Sequence, residues 1–323
     1  MAFWNRKKPQ PPVVSCFGKL PATGDFIRYQ AASAESTAFN DWLQPAIALA
    51  KQQIPDGFEA VYRPNVGLFI YRGPDGDGND EPDRGMVGVW AASGDKAGRH
   101  YPMVIATSYD YAEMLAVGPG LPIALWPFLT AAYDLVANGR GLQPDDFVAR
   151  VAQIQPLSLA NANAASAGYR EWLQFQTMRA LWETGFGGVE PRHAVVQSLL
   201  ASVEIFRGRE RPQTSLALRL PLGSGDAYAV AVWTDMTLRL AGWERTVLNA
   251  FWSPRRDLLL HLGAPHVGTF RELIASTRDA DHVMDLVAPP SIEPAAARAK
   301  LAPGLAEAVD KADLSISAFL QRI

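Results

Sequence analysis

One cysteine in 323 residues, Cys16, leaves no disulfide framework and no thiolate-built zinc or iron–sulfur centre. Neither sign of charge dominates. Thirty Lys and Arg face 33 Asp and Glu, a formal net charge of -3, which supplies no basic footprint for nucleic acid. The five histidines contain no His-x-x-x-His pair, so a helical zinc site is not signalled. No Gly-x-Gly-x-x-Gly spacing marks a dinucleotide fold, and no Gly-x-Ser-x-Gly elbow marks a hydrolase serine. Gly18-Lys19 has the ending of a phosphate-binding loop, but Val13 stands where its first glycine belongs and Leu20 where its metal-binding hydroxyl belongs. Leu115 to Tyr133 carries no charge, yet Pro119, Pro122 and Pro127 interrupt it, which predicts a buried helix from Ile123 rather than a membrane span. Met1 to Lys8 runs into Pro9, Pro11 and Pro12 without an apolar segment, and reads as a solvated leader, not a secretory signal. Together these absences predict a soluble cytoplasmic chain without a cofactor.

What is present is an ordinary globular balance, 48% hydrophobic and 20% charged. Val13 to Phe17, Val66 to Tyr71, Met86 to Ala91 and Met103 to Thr107 read as strands; those joined only by loops should pair antiparallel. Phe39, Trp42, Leu43 and Ile47 recur at helical spacing after Ser36, with Pro45 expected to kink or divide that helix. Further helices are expected at Ala124 to Asn138, Asp145 to Ile154, Tyr169 to Thr184 with Gly185 closing it, and His193 to Ile205. Beyond the charged break Arg207 to Gln213, strands are expected at Ser215 to Leu220, Tyr228 to Thr234, Val247 to Trp252 and Leu258 to Leu262. A helix at Thr269 to Ser276 and an alanine-rich helical tail from Pro294 follow. The fold class is therefore α/β, a layered sandwich with a mixed, largely antiparallel central sheet flanked by helices. The organisation is a flexible tail over 1–12, an N-terminal α/β domain over 13–206 and a C-terminal α/β part over 207–323, with a shared sheet left open.

Candidate chemistry is sparse. Asp75, Asp77 and Asn79 alternate as in a calcium loop, but Asp80 and Met86 occupy the glycine and glutamate positions of an EF-hand. His261 and His266 span a strand end and a turn, and read as structural. Cys16 sits in an apolar strand, a setting for an inert thiol. Two loops stand out. One runs Gly18-Lys19-Leu20-Pro21-Ala22-Thr23-Gly24-Asp25-Phe26-Ile27-Arg28; the other runs Ser93-Gly94-Asp95-Lys96-Ala97-Gly98-Arg99-His100-Tyr101-Pro102. Asp25 and Asp95 face the cations Lys19, Arg28, Lys96 and Arg99, so the loops are expected to lie side by side, as ion-paired turns or as a binding surface.

These loops resemble the signature of the TagF (ImpM) family of type VI secretion-associated proteins. The family pattern Gly-Lys-Leu-Pro, two variable residues, Gly-Asp-Phe is met by Gly18, Pro21, Gly24 and their neighbours, and its Trp-Leu pair by Trp42-Leu43. Its Asp-x-x-Gly-Arg-x-Phe-Pro-Leu element is met by Asp95, Gly98, Arg99 and Pro102. Tyr101 replaces the usual Phe, Met103 loosely matches the Leu, and Ser93-Gly94 replaces a Pro-Ser. The resemblance covers residues 14–110. It implies an α/β sandwich acting as a cytoplasmic repressor of type VI secretion after translation, with the FHA-domain scaffold protein of that system as partner and no catalytic residues to carry over.

The preferred reading is a non-enzymatic binding protein whose contacts come from Lys19, Asp25, Arg28, Asp95, Lys96 and Arg99, with Gly18, Pro21, Gly24, Trp42, Gly98 and Pro102 shaping the motif. One alternative is a hydrolase using Asp25, Asp95 and His100; another is a structural scaffold of the secretion apparatus. Metal analysis of the purified protein is expected to find no stoichiometric zinc or calcium, and calorimetry no micromolar ATP binding. Either signal would favour the enzyme.

Overall fold

Hydrophobic alternation builds the centre of the molecule. In the computed structural model, which describes residues 11–73, 84–159, 162–209, 212, 214–223, 226–254, 257–275, 277–288 and 291–323, the strand β1 (Val14–Lys19) pairs with β2 (Phe26–Tyr29). The helices α1 (Ala34–Gln53) and α2 (Phe58–Tyr62) follow, then the meander β3 (Val66–Tyr71), β4 (Arg84–Ala91) and β5 (Met103–Asp110). Consecutive residues of these strands enter different cores. Leu68, Ile70, Val87, Val89 and Ile105 join one cluster; Phe69, Tyr71, Met86, Trp90 and Val104 join another. That is the period of two expected of a sheet covered on both faces. Glycine appears in β4 where no side chain fits, since a Cβ on Gly88 would lie 2.5 Å from the Ile105 carbonyl oxygen.

A helical segment comes next: α3 (Tyr111–Val117), α4 (Leu121–Ala124), α5 (Trp126–Asn138), α6 (Pro144–Gln153), α7 (Asn163–Phe175), α8 (Met178–Phe186) and α9 (Arg192–Glu204). Among the described residues no single helix is long and apolar enough to cross a membrane; the apolar stretch over 111–141 is bent by 53°. The chain then returns to the sheet through β6 (Ala217–Leu220), α10 (Ala227–Ala241), β7 (Asn249–Trp252), β8 (Leu258–His261), α11 (Thr269–Ala275) and β9 (Val283–Asp285). It closes with α12 (Pro294–Ala299), α13 (Pro303–Asp310) and α14 (Ile316–Leu320). The nine strands among the described residues form one sheet in the order β2-β1-β5-β4-β3-β7-β8-β6-β9. Among them only β6 and β9 pair in parallel. The class is α/β with a mixed, largely antiparallel sheet, and α1, α2 and α11 cover one face while the other helices cover the opposite one.

Three expectations need correction. Tyr228 to Thr234 is not a strand but the start of α10. Asp226 caps it by accepting from the Ala229 N–H at 3.0 Å, and Gly242 ends it at φ +65. The helix is buried almost all round, so its 3.6-residue period is masked and its β-branched run reads as strand. Tyr169 to Thr184 is not one helix. Thr177 breaks it, capping α8 through Ala180, while Met178 and Ile316 exchange backbone hydrogen bonds with Leu314 and Gln176; Gly187, not Gly185, ends α8 in the left-handed region. Pro45 does not divide α1. The acidic loop with Asp75, Asp77 and Asn79 lies outside the described residues, as do positions 210, 211 and 213 of the charged break.

The C-terminal strands carry a buried ion cluster. Arg219 on β6 donates to Glu272 of α11 at 2.5 Å, both side chains being inaccessible, with Asp257 at 3.6 Å and Asp285 at 3.9 Å. Removing Glu272 leaves buried Arg219 with only the longer contacts to Asp257 and Asp285 in a low dielectric. Glu272→Gln is expected to lose about 3–5 kcal/mol of stability in chemical denaturation. A loss no larger than that of a surface ion pair would show the cluster to be hydrated.

Candidate functional site

The two loops singled out in the sequence meet at the end of β1. Leu20 to Thr23 is a tight turn with Pro21 at its second position, closed by the Thr23 N–H donating to the Leu20 carbonyl at 3.1 Å. Asp95 to Gly98 is a second, closed by the Gly98 N–H on the Asp95 carbonyl at 2.9 Å, with Gly98 at φ +78. Gly18 has φ +140, and a Cβ there would lie 2.2 Å from the Pro102 carbonyl oxygen, so only glycine lets β1 pass Pro102.

The loops are joined through the Asp95 carboxylate. Its Oδ1 accepts from the backbone N–H groups of Ala97 at 3.0 Å and Arg99 at 2.9 Å. Its Oδ2 accepts from Lys19 Nζ at 2.6 Å and Arg99 Nε at 2.7 Å. The Arg99 Nη2 continues to the Gly24 carbonyl at 2.7 Å, and the Lys96 N–H reaches the Thr23 carbonyl at 2.9 Å. Ser93 adds a third tie, its hydroxyl donating to the Lys19 carbonyl at 2.7 Å while its backbone exchanges hydrogen bonds with the buried Tyr62 hydroxyl. Lys19 Nζ also lies 5.2 Å above the Phe26 ring, which packs edge-on against Tyr101. Tyr101, where the family pattern has Phe, donates to Asn40 of α1 at 2.7 Å.

The loops therefore lie side by side, as their charges predicted, but the six candidate contact residues divide in two. The Asp95 side chain is 0% and the Lys19 side chain 7% exposed, so these two are anchors that present no charge at the surface. Asp25, Arg28, Lys96 and Arg99 are exposed around them. Trp42 works from behind, packing on Phe39 and Phe251 and donating to the His266 carbonyl at 3.2 Å, which ties α1 to the turn before α11.

A cleft of about 480 Å³ opens beside the loops, lined by Pro21, Asp95, Gly98 and His100 together with Tyr62, Arg63, Glu59 and Arg140. The last four were not singled out in the sequence. They come from α2 and from the turn after α5, and no local motif marks them. The His100 ring packs edge-on against Phe58 and Tyr62, and burial, then Lys51, pushes its pKa down. No hydrogen bond or ion pair among the described residues joins it to Asp25 or Asp95. Burial pushes the Cys16 thiol up to about 12, an inert group. Burial also lowers His261 to about 3 and His282 to about 4, keeping both neutral at ordinary pH, and no group of three His, Cys, Asp or Glu among the described residues forms a metal set.

Residues 15–154, which hold both loops and every residue lining the cleft, match the family described as "TagF N-terminal domain, Type VI secretion system-associated". No curated protein matches the chain. Among solved structures, the crystal structure of PA0076 from Pseudomonas aeruginosa PAO1 is 17% identical over an alignment covering 45% of this chain and 64% of that one, with a TM-score of 0.36. This chain thus spans less than two thirds of that protein, and the likeness is too low to carry an argument.

The hydrogen bond from Lys19, aided by the local N–H donors, holds the Asp95 carboxyl well below its usual 3.8. Because the folded value is depressed, the stabilisation is fully present above the ordinary value. It fades as pH falls below that value towards the folded one. Carboxyl ¹³C NMR is expected to find Asp95 titrating well below an ordinary Asp, and Lys19→Met to move its titration upward. An ordinary titration in the parent protein would refute the anchor.

Proposed function

We propose, for a chain that carries a TagF N-terminal domain associated with the type VI secretion system, that it represses this secretion after translation by binding the system's FHA-domain scaffold protein. The observation that carries this reading is the split between anchored and presented charge. Lys19 and Asp95 fix the backbone of both loops from inside, and Asp25, Arg28 and Lys96 stand exposed on that fixed frame. A charged surface that is already ordered gives up little conformational entropy on docking, and gains orientation and partner choice from its pattern of signs. The role calls for a cytoplasmic protein.

Catalysis has less support. A hydrolase built on Asp25, Asp95 and His100 needs a base within hydrogen-bond reach of its partner groups. Here Asp95 is saturated by four donors and His100 packs edge-on against two stacked aromatic rings.

The geometry also selects the variants. Arg99 reversal would set a second carboxylate against Asp95 and release Gly24, so it would disturb fold and surface together. Asp25→Lys, Arg28→Glu and Lys96→Glu avoid this. Each is expected to change stability by about 1 kcal/mol or less, while capture of the scaffold weakens by about tenfold or more and secretion rises. Folded variants that bind and repress like the parent would remove the loops from the functional surface.

A further inference from the structure

The cleft beside the loops holds a positive charge that no carboxylate lining it pairs with. Both carboxylates lining it are occupied: Glu59 by Arg63 at 2.5 Å, and Asp95 by two cations, Lys19 and Arg99. Arg140 enters no ion pair among the described residues. Its Nη1 donates to the Arg63 carbonyl at 3.0 Å, which closes the end of α2, but its Nε–H is buried without a partner. The Nδ1 of His100, on the same cleft, is buried without a partner as well. Arg140 therefore stands half-buried on the cleft wall with a charge that no carboxylate among the described residues meets in an ion pair. The Arg63 side chain, 75% exposed at the rim, is paired with Glu59, and an exposed pair of this kind can be exchanged for another carboxylate at little cost.

We infer that this cleft is an anion subsite that takes a carboxylate side chain from an acidic segment of the protein partner, with Arg140 and Arg63 as its recognising groups. The inference rests on the reading of the adjoining loops as the partner-binding surface. Charge complementarity selects the occupant. A guanidinium pairs with a carboxylate through a charge-assisted hydrogen bond. A phosphoryl group is usually held by a cradle of free backbone N–H groups. In this cleft the N–H groups of Ser93, Asp95 and Gly98 are already donated to Tyr62, Arg99 and Asp95. The volume of about 480 Å³ admits a side chain together with some of its flanking backbone.

The test is fluorescence anisotropy of a fluorescein-labelled octaglutamate peptide titrated with the full chain, repeated for Arg140→Gln, Arg63→Gln and Lys300→Gln, the last an exposed cation at the end of α12. Saturable binding is expected, weakened about tenfold or more by Arg140→Gln, weakened by Arg63→Gln and unchanged by Lys300→Gln. Arg63→Gln covers the case in which Arg140→Gln fails to fold. Equal binding by the parent and both folded cleft variants would overturn the inference. So would inorganic phosphate that binds with the same dependence on Arg140 and displaces the peptide, since the site would then serve a small anion. Scaffold capture separates the two readings. If Asp25→Lys abolishes capture and Arg140→Gln changes neither capture nor peptide binding, the subsite fails and the loop surface stands. If Arg140→Gln loses the peptide while no loop variant alters capture, the subsite stands and the loop reading fails.

Discussion

A carboxylate removed from water must have its lone pairs filled, and at Asp95 that single requirement organises this end of the molecule. Four donors meet it: two backbone N–H groups of its own turn, the Arg99 guanidinium and Lys19 from the neighbouring strand. Losing any one would leave part of a buried charge unmatched, so the arrangement favours all partners being present together. The strand end, both turns and the wall of the cleft are consequently set by one group. Gly18 belongs to the same constraint, because Lys19 reaches Asp95 only if β1 can run against Pro102.

The sheet supplies the rigid floor on which this anchor stands. Its central strands are buried on both faces, so the hydrophobic residues of β3, β4 and β5 divide between two cores, and a slip of one residue would exchange the two sets wholesale. The aromatic cluster of Phe39, Trp42, Phe69 and Phe251 joins α1 to strands from opposite ends of the chain. The loops thus project from a base whose register is strongly specified.

Much of this was legible in the sequence where local chemistry decides the structure. The strands of the meander announced themselves through β-branched and aromatic runs, and the two turns through Pro21, Gly24, Asp95 and Gly98. Their adjacency followed from complementary charge. Burial of Lys19 and Asp95 was not legible, because charged residues in turn-rich segments usually stay in water and only the tertiary fold closes over them. The strand assignment at Tyr228 to Thr234 failed for a related reason: a helix buried on all sides loses the polar stripe that reveals its period. Tyr62 and Arg140 carried no signal, since each joins the cleft through contacts with Ser93 and the end of α2 that only the folded chain creates.

The pairing of β3 with β7 has a consequence for how the protein is made. Arg72, just past β3, bonds to Asn249 at the start of β7, a separation of 177 residues. At translation rates of about 5–20 residues per second, the ribosome needs on the order of ten seconds or more to supply the missing strand. During that interval the nascent segment bearing both loops presents the bare backbone edge of β3 and the aromatic face of Trp42, a template for pairing with other chains. Until β7 emerges, the N-terminal segment is therefore open to edge pairing with other chains.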